Sequence, residues 1–249
     1  YNLTGAILAR EMGSVFSDML ENLYLYIPLL TMGLMSKEYS SGSIKLLYSS
    51  PITNAQIILG KYASMLVYSA VLMLVLLVFL FFGAGFIENF DYPRAFTALL
   101  GIFFLTCAYA AIGLFMSTLT AYQVVAAVGT LTVLALLNYV QNVGQNYDFV
   151  RDITYWLSLA GRSKQFLEGM ICSEDILYFF IVIGLFLSLS IFKLRFGRTT
   201  VPRIKKVSAY GCVIVVTLML GYITSRPTMI AYYDTTDTKQ NTLTPPSQE

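Results

Sequence analysis

The sequence predicts an all-α protein, a polytopic transmembrane helical bundle of about six spans, on three observations. Hydrophobic residues make up 57% of the 249-residue chain and charged residues 12%, against about 25% charged in soluble domains. Between Ala95 and Tyr147 lie 53 residues without a charge. That run is too long for one span of about 20 residues and long enough for two joined by a turn. The mean hydropathy of +0.67 agrees.

Charges punctuate the apolar runs and so set the spans in order. There are 15 residues between Glu21 and Lys37, 26 between Lys61 and Glu88, 17 between Asp175 and Lys193, and 19 between Lys206 and Arg226. The uncharged region divides near 117–122, where small and hydroxyl residues cluster. Spans are therefore expected over 20–36, 62–87, 95–117, 122–143, 176–193 and 207–225. Tyr24, Tyr26, Tyr62, Phe90, Tyr92, Tyr178 and Phe179 stand near span ends. They suit an interfacial aromatic belt, or they simply cover lipid-facing surface.

Orientation follows from Lys and Arg in the loops. One side holds the 37–61 loop, the 117–122 turn and the 193–206 loop, with 9 of the 16 basic residues. Six of these (Lys193, Arg195, Arg198, Arg203, Lys205 and Lys206) crowd a 14-residue loop without an acid, which makes that side cytoplasmic. Both ends of the chain then lie outside. The chain begins at Tyr1 without a methionine or a signal peptide, and reads as a piece of a longer protein lacking an earlier span.

Several chemistries are excluded from the sequence as given. There is no histidine, and the scattered Cys107, Cys172 and Cys212 make no metal spacing. No G-x-x-x-x-G-K-[ST] phosphate loop and no G-x-S-x-G nucleophile elbow occurs. No ionisable residue falls well inside a span, which argues against a proton- or sodium-coupled carrier. Work driven from outside the chain is the remaining expectation.

The most structured polar segment is the 37–61 loop, KEYSSGSIKLLYSSPITNAQIILGK. Ser41 or Ser43 can cap a short helix whose Ile44, Leu46 and Leu47 offer an apolar face. Pro51 stops it. Thr53 and Gln56 have capping-box spacing and start the next helix, which runs into the second span. The residues alone leave open whether the short helix is a docking element or an ordinary interfacial helix. The 144–175 segment has apolar residues at helical spacing (Ile153, Trp156, Leu157, Leu159, then Phe166, Leu167 and Met170). This predicts amphipathic extracytoplasmic helices on the outer leaflet, gating an exit or capping the bundle. Residues 196–206 read as a basic linker, and 226–249 as a polar tail.

The loop also resembles the signature of ABC-2-type transporter permeases. Glu38, then Gly42-Ser43-Ile44-Lys45-Leu46-Leu47, Ser50-Pro51-Ile52-Thr53, Gln56-Ile57 and Gly60-Lys61 follow the pattern of an acid, a G-[ST]-hydrophobic-x-L-L run, S-P-hydrophobic-[ST] and G-K. Lys45 stands where an acid is frequent. Ala111-Ile112-Gly113-Leu114-Phe115 through Ser117, Leu119-Thr120 and Gln123-Val124-Val125-Ala126 are similar to the same family, as are Phe166-Leu167-Glu168-Gly169-Met170 leading into Asp175. The gliding-motility-type permease is the nearest variety, over about 20–195. Tyr233-Asp234-Thr235-Thr236 through Leu243-Thr244 resemble the start of a gliding-motility-type auxiliary domain.

The resemblance implies a division into a permease transmembrane domain at 1–195 (lacking the first span), the linker 196–206, a further transmembrane helix at 207–225 and an extracytoplasmic tail at 226–249. The 41–50 helix would then be a coupling element docking in a groove of a separate ABC ATPase subunit. Its site residues would be Glu38, Gly42, Ile44, Leu46, Leu47, Pro51, Gly60 and Lys61. Glu38 and Lys61 would bracket it, and Pro51 and Gly60 would shape the turn into the next helix. The chain would be the permease subunit of an ATP-driven exporter in a cell (plasma or inner) membrane of bacterial type. It would hold no cofactor and have no catalytic residues, with ATP and Mg bound by the partner, and would pair with a second permease half without binding nucleic acid. The alternative class is a membrane anchor or scaffold for an extracytoplasmic domain.

Overall fold

The computed structural model of the chain describes residues 3–85, 92–139, 159–167, 169–198, 202–224 and 232–234. The elements in order are α1 (Leu3–Thr31), α2 (Gly33–Ser40), α3 (Ile44–Ser49), α4 (Asn54–Ala84), α5 (Tyr92–Leu119), α6 (Gln123–Tyr139), α7 (Leu159–Leu167), β1 (Met170–Cys172), α8 (Ser173–Arg198), α9 (Arg203–Thr224) and β2 (Tyr232–Asp234). The protein is an all-α polytopic membrane bundle. Among the described residues three helices, α4, α5 and α8, are long and apolar enough to cross a membrane, and α6 and α9 carry shorter apolar stretches. These five coincide with five of the expected spans.

The sixth expected span, 20–36, is not one helix. Helix α1 starts at Leu3, runs through the charged residues that marked its supposed boundary, and ends at Thr31. The chain turns at Met32 and continues as α2. Charge limits how deep a helix sits in lipid and does not limit how long it is. Of the tail, only β2 lies in the described residues. It pairs antiparallel with β1, with Met170 opposite Asp234, a pairing that sequence reasoning did not anticipate. Of the linker expected at 196–206, residues 196–198 end α8 and 203–206 begin α9, and 199–201 lie outside the described residues.

Helix α5 is the axis. It packs against α1, α2, α4, α6, α7 and α8, and 72% of its apolar window is buried, against 22% for α4. One core cluster joins Leu20, Ile27, Leu80, Leu105, Tyr109, Phe166 and Phe179. A second, nearer the 37–61 loop, joins Met35, Ile44, Ile58, Leu114 and Leu194. Helix α4 leaves Val67, Val71, Leu74, Val75, Val78 and Phe82 exposed. Apolar on every side, it is solvated by lipid on its outer face.

Polar groups inside the bundle are satisfied locally, as a lipid solvent requires. The hydroxyls of Ser69, Thr106, Thr130 and Ser190 each donate to the carbonyl one turn back. Tyr62 donates to the carbonyl of Cys107 at 3.1 Å, and Tyr109 to Asn138 at 2.8 Å.

The expected outer-leaflet helix is the largest departure. Its expected Ile153, Trp156 and Leu157 lie outside the described residues; the described part, α7, is wedged into the bundle against α5, α1 and α6. Leu159 and Phe166 are fully buried. Its amphipathic pattern reflects a protein-facing side, which a sequence cannot distinguish from a lipid-facing one.

Close approach to α5 depends on glycine. A Cβ on Gly113 would lie 2.0 Å from Thr31 Oγ1, and one on Gly101 2.5 Å from Phe166 Cβ. We expect Gly113→Ala to force α1 off α5 at a cost of about 1–3 kcal/mol, read as a lowered thermal midpoint in detergent. An unchanged midpoint would refute the packing.

Candidate functional site

The 37–61 segment forms a helix–break–helix at one end of the bundle. Helix α2 closes with Ser41 N–H donating to Lys37 O (2.9 Å) and Gly42 N–H to Tyr39 O (3.3 Å). Gly42 follows at φ +76°, the left-handed turn that glycine takes without a Cβ penalty. Neither Ser41 nor Ser43 caps α3, contrary to the expectation. Ser43 is itself helical and makes no capping bond. The two hydroxyls lie 2.6 Å apart, Ser41 donates to Lys37 O, and Ser43 donates to Glu38 Oε2 at 2.6 Å. The serines bind back to α2 because α2 continues up to them.

Ser50 is extended (ψ 147°) ahead of Pro51, the conformation that a following proline favours. The capping box expected at Thr53 and Gln56 is present. Thr53 N–H donates to Gln56 Oε1 (2.9 Å), and Gln56 N–H to Thr53 Oγ1 (3.3 Å).

Glu38 and Lys61 pair across the loop, Nζ to Oε1 at 2.7 Å. Glu38 thus ties α2, the start of α3 and the first turns of α4 together. Hydrogen bonds from Lys61 and then Ser43 hold its carboxyl below the usual range. Gly60 shapes no turn: it lies inside α4, and a Cβ there would meet nothing within 4 Å.

The apolar face of α3 divides. Ile44 and Leu47, three apart and so on one side, face the cluster that contains Met35, Ile57 and Leu194. Leu46 points away and is 73% exposed, with Ile52 at 40% and Leu59 at 48%. Lys45 beside it is exposed as well. Of the expected apolar face, Leu46 alone is left largely uncovered. Ile44 and Leu47 hold the helix down.

Two residues that sequence reasoning did not assign complete the site. Ser117, at the end of α5, accepts from Met35 N–H (2.9 Å) and Ser36 N–H (3.0 Å) and donates to Met32 O (2.9 Å). It caps α2 from another helix. Arg198, the last residue of α8, donates to the carbonyls of Tyr48, Ser50 (3.3 Å) and Ile52 (3.3 Å) and to Asn54 Oδ1 (3.2 Å). Its guanidinium also lies 5.5 Å from the Tyr48 ring centroid. The sequence signal was the hydroxyl cluster at 117–122 and the basic run at 193–206, which read only as topology marks.

At the opposite end, buried Arg162 on α7 bridges Asp175 (2.6 Å) and Glu174 (2.9 Å) in the first turn of α8. It lies 4.5 Å from the Tyr178 ring centroid. Arg94 Nε donates to Leu167 O at 3.1 Å, fastening α5 to the same helix. Among the described residues no group of three His, Cys, Asp or Glu could hold a metal ion.

A carboxyl pKa lowered in the fold contributes stability above its unfolded value and loses it as pH falls through the folded one. Glu38→Gln is therefore expected to lower the melting midpoint at neutral pH by an amount worth about 1 kcal/mol or less, since the pair is part-exposed. The gap closes as pH drops below the ordinary carboxylate range. A gap that persists in acid would contradict the pairing.

Residues 23–146 match the family described as ABC-2 family transporter protein. No curated protein and no solved structure matches the chain. The matched stretch runs from the second half of α1 through α6 and contains the whole helix–break–helix with its Ser117 cap. On that match, the chain belongs to the ABC-2 family and is a membrane-embedded permease component of an ABC transporter.

Proposed function

We propose that this permease couples ATP hydrolysis by a separate ABC ATPase subunit to export, with the outward face of α3 as the dock. The observation that carries this is Leu46, 73% exposed on a helix otherwise pinned by Ile44, Leu47, the Glu38–Lys61 pair and Arg198. A large apolar side chain held out at the end of the bundle, beyond the lipid-facing α4 surface, suits a pocket on another protein. The pins make the dock rigid, so that a push on it moves α2 and α4.

The basic density of 193–206 makes this end cytoplasmic, where the ATPase would bind ATP and Mg for the complex. Two permease halves, as a homodimer or with a paralogue, would form the pathway in a bacterial inner membrane. The gliding-motility-type subclass rests on the sequence likeness alone. The anchor reading draws support from the β1–β2 pairing, which ties the tail to the opposite end of the bundle.

Replacing Leu46 by Asp is expected to reduce co-purification of the ATPase by about tenfold or more while membrane insertion is kept, because the side chain is outside the core. Leu47→Asp would disturb the fold as well, since Leu47 packs on the second cluster. Undiminished ATPase capture by Leu46→Asp would sink the docking reading and leave the anchor reading standing.

A further inference from the structure

We propose that Arg198 is a positioning residue that ties the α3–α4 break to α8, and that α8 carries displacement of the dock to α7 at the opposite end of the membrane. This rests on the reading of α3 as the ATPase dock. Helix α3 has six residues, and the carbonyls at its end and through the break have few helical partners. One guanidinium binds three of them and Asn54 besides. A planar fork can reach four acceptors at once, and a lysine ammonium cannot reproduce that pattern. The contact is also close. A Cβ on Gly197 would lie 2.7 Å from the Tyr48 hydroxyl, so the Tyr48 side chain of α3 reaches the surface of α8.

From Arg198 the chain of contacts runs along one helix. Helix α8 has 26 residues and no proline, and about 35 Å separates Arg198 from Asp175 at 1.5 Å per residue. At that far end Glu174 and Asp175 grip Arg162 of α7, where Arg162 and Asp175 are each 2% exposed. Parting such a pair leaves an uncompensated buried charge, which is strongly unfavourable. When α8 shifts, α7 is therefore drawn with it in preference to breaking the grip. Helix α7 seats Phe166 against Gly101 and beside the rings of Phe104 and Phe179. Drawing it out opens the outer end of the bundle.

Cys172, on β1 between α7 and α8, is a built-in reporter. It is 5% exposed, and burial, with the carboxylates of Asp175 and Glu174, pushes its thiol up to about 11. While α7 is seated it is shielded from solvent.

The test uses the full chain with its ATPase in proteoliposomes, with Cys107 and Cys212 replaced by Ala so that Cys172 is the single thiol of this sequence. An impermeant maleimide is added from the β1 side, with and without vanadate-trapped nucleotide. Trapping is expected to raise Cys172 labelling about tenfold in the parent. In Arg198→Ala and Arg198→Lys the labelling response, taken per captured ATPase, falls below about twofold. An undiminished response in Arg198→Ala overturns the proposal. So does loss of ATPase binding in that variant, which would make Arg198 a staple of the dock alone. A parent that binds ATPase through Leu46 but shows no labelling change overturns the transmission and spares the docking reading. A parent that captures no ATPase overturns both.

Discussion

A helix may be broken near lipid only if the backbone groups it frees find partners. The rest of this structure depends on how two breaks meet that condition. At Met32 the partner is the hydroxyl of Ser117, which serves two amide donors and one carbonyl at once. At 50–53 the partners are the Arg198 guanidinium and the Thr53–Gln56 capping box. Both outside partners stand at the ends of long helices. The break geometry is thus set by how α5 and α8 pack, and the short helices between the breaks inherit their position from the bundle.

The same logic explains what the sequence disclosed. The capping box was legible because its two residues are three apart and need nothing else. So was the extended residue before Pro51. The Ser117 and Arg198 contacts span 81 to 150 residues, and no local pattern encodes them. The split of α3 into an inward Ile44–Leu47 side and an outward Leu46 was half legible. Periodicity fixes which residues share a side, and tertiary packing decides which side is covered. Helix α1 was misjudged because charge was taken as a boundary, and α7 because amphipathicity does not say whether lipid or protein receives the apolar face.

Electrostatics and packing reinforce each other along α8. Its first turn carries Glu174 and Asp175 and its last turn Arg195 and Arg198, the arrangement that complements the helix dipole. Each end then uses its favoured charges to hold a different short helix. The helix is anchored where its own field is strongest, and its middle is left apolar for the membrane.

The β1–β2 ladder has a consequence for the order of assembly. It joins residues 64 apart, from Met170 to Asp234, and so closes α8 and α9 into a ring that two short strands seal. Closing a loop of that length carries an entropic cost that grows only slowly with length, but it cannot be met until both helices are in place. The seal therefore forms after α9 has packed on α8. From then on α9 cannot part from α8 without first opening that ladder.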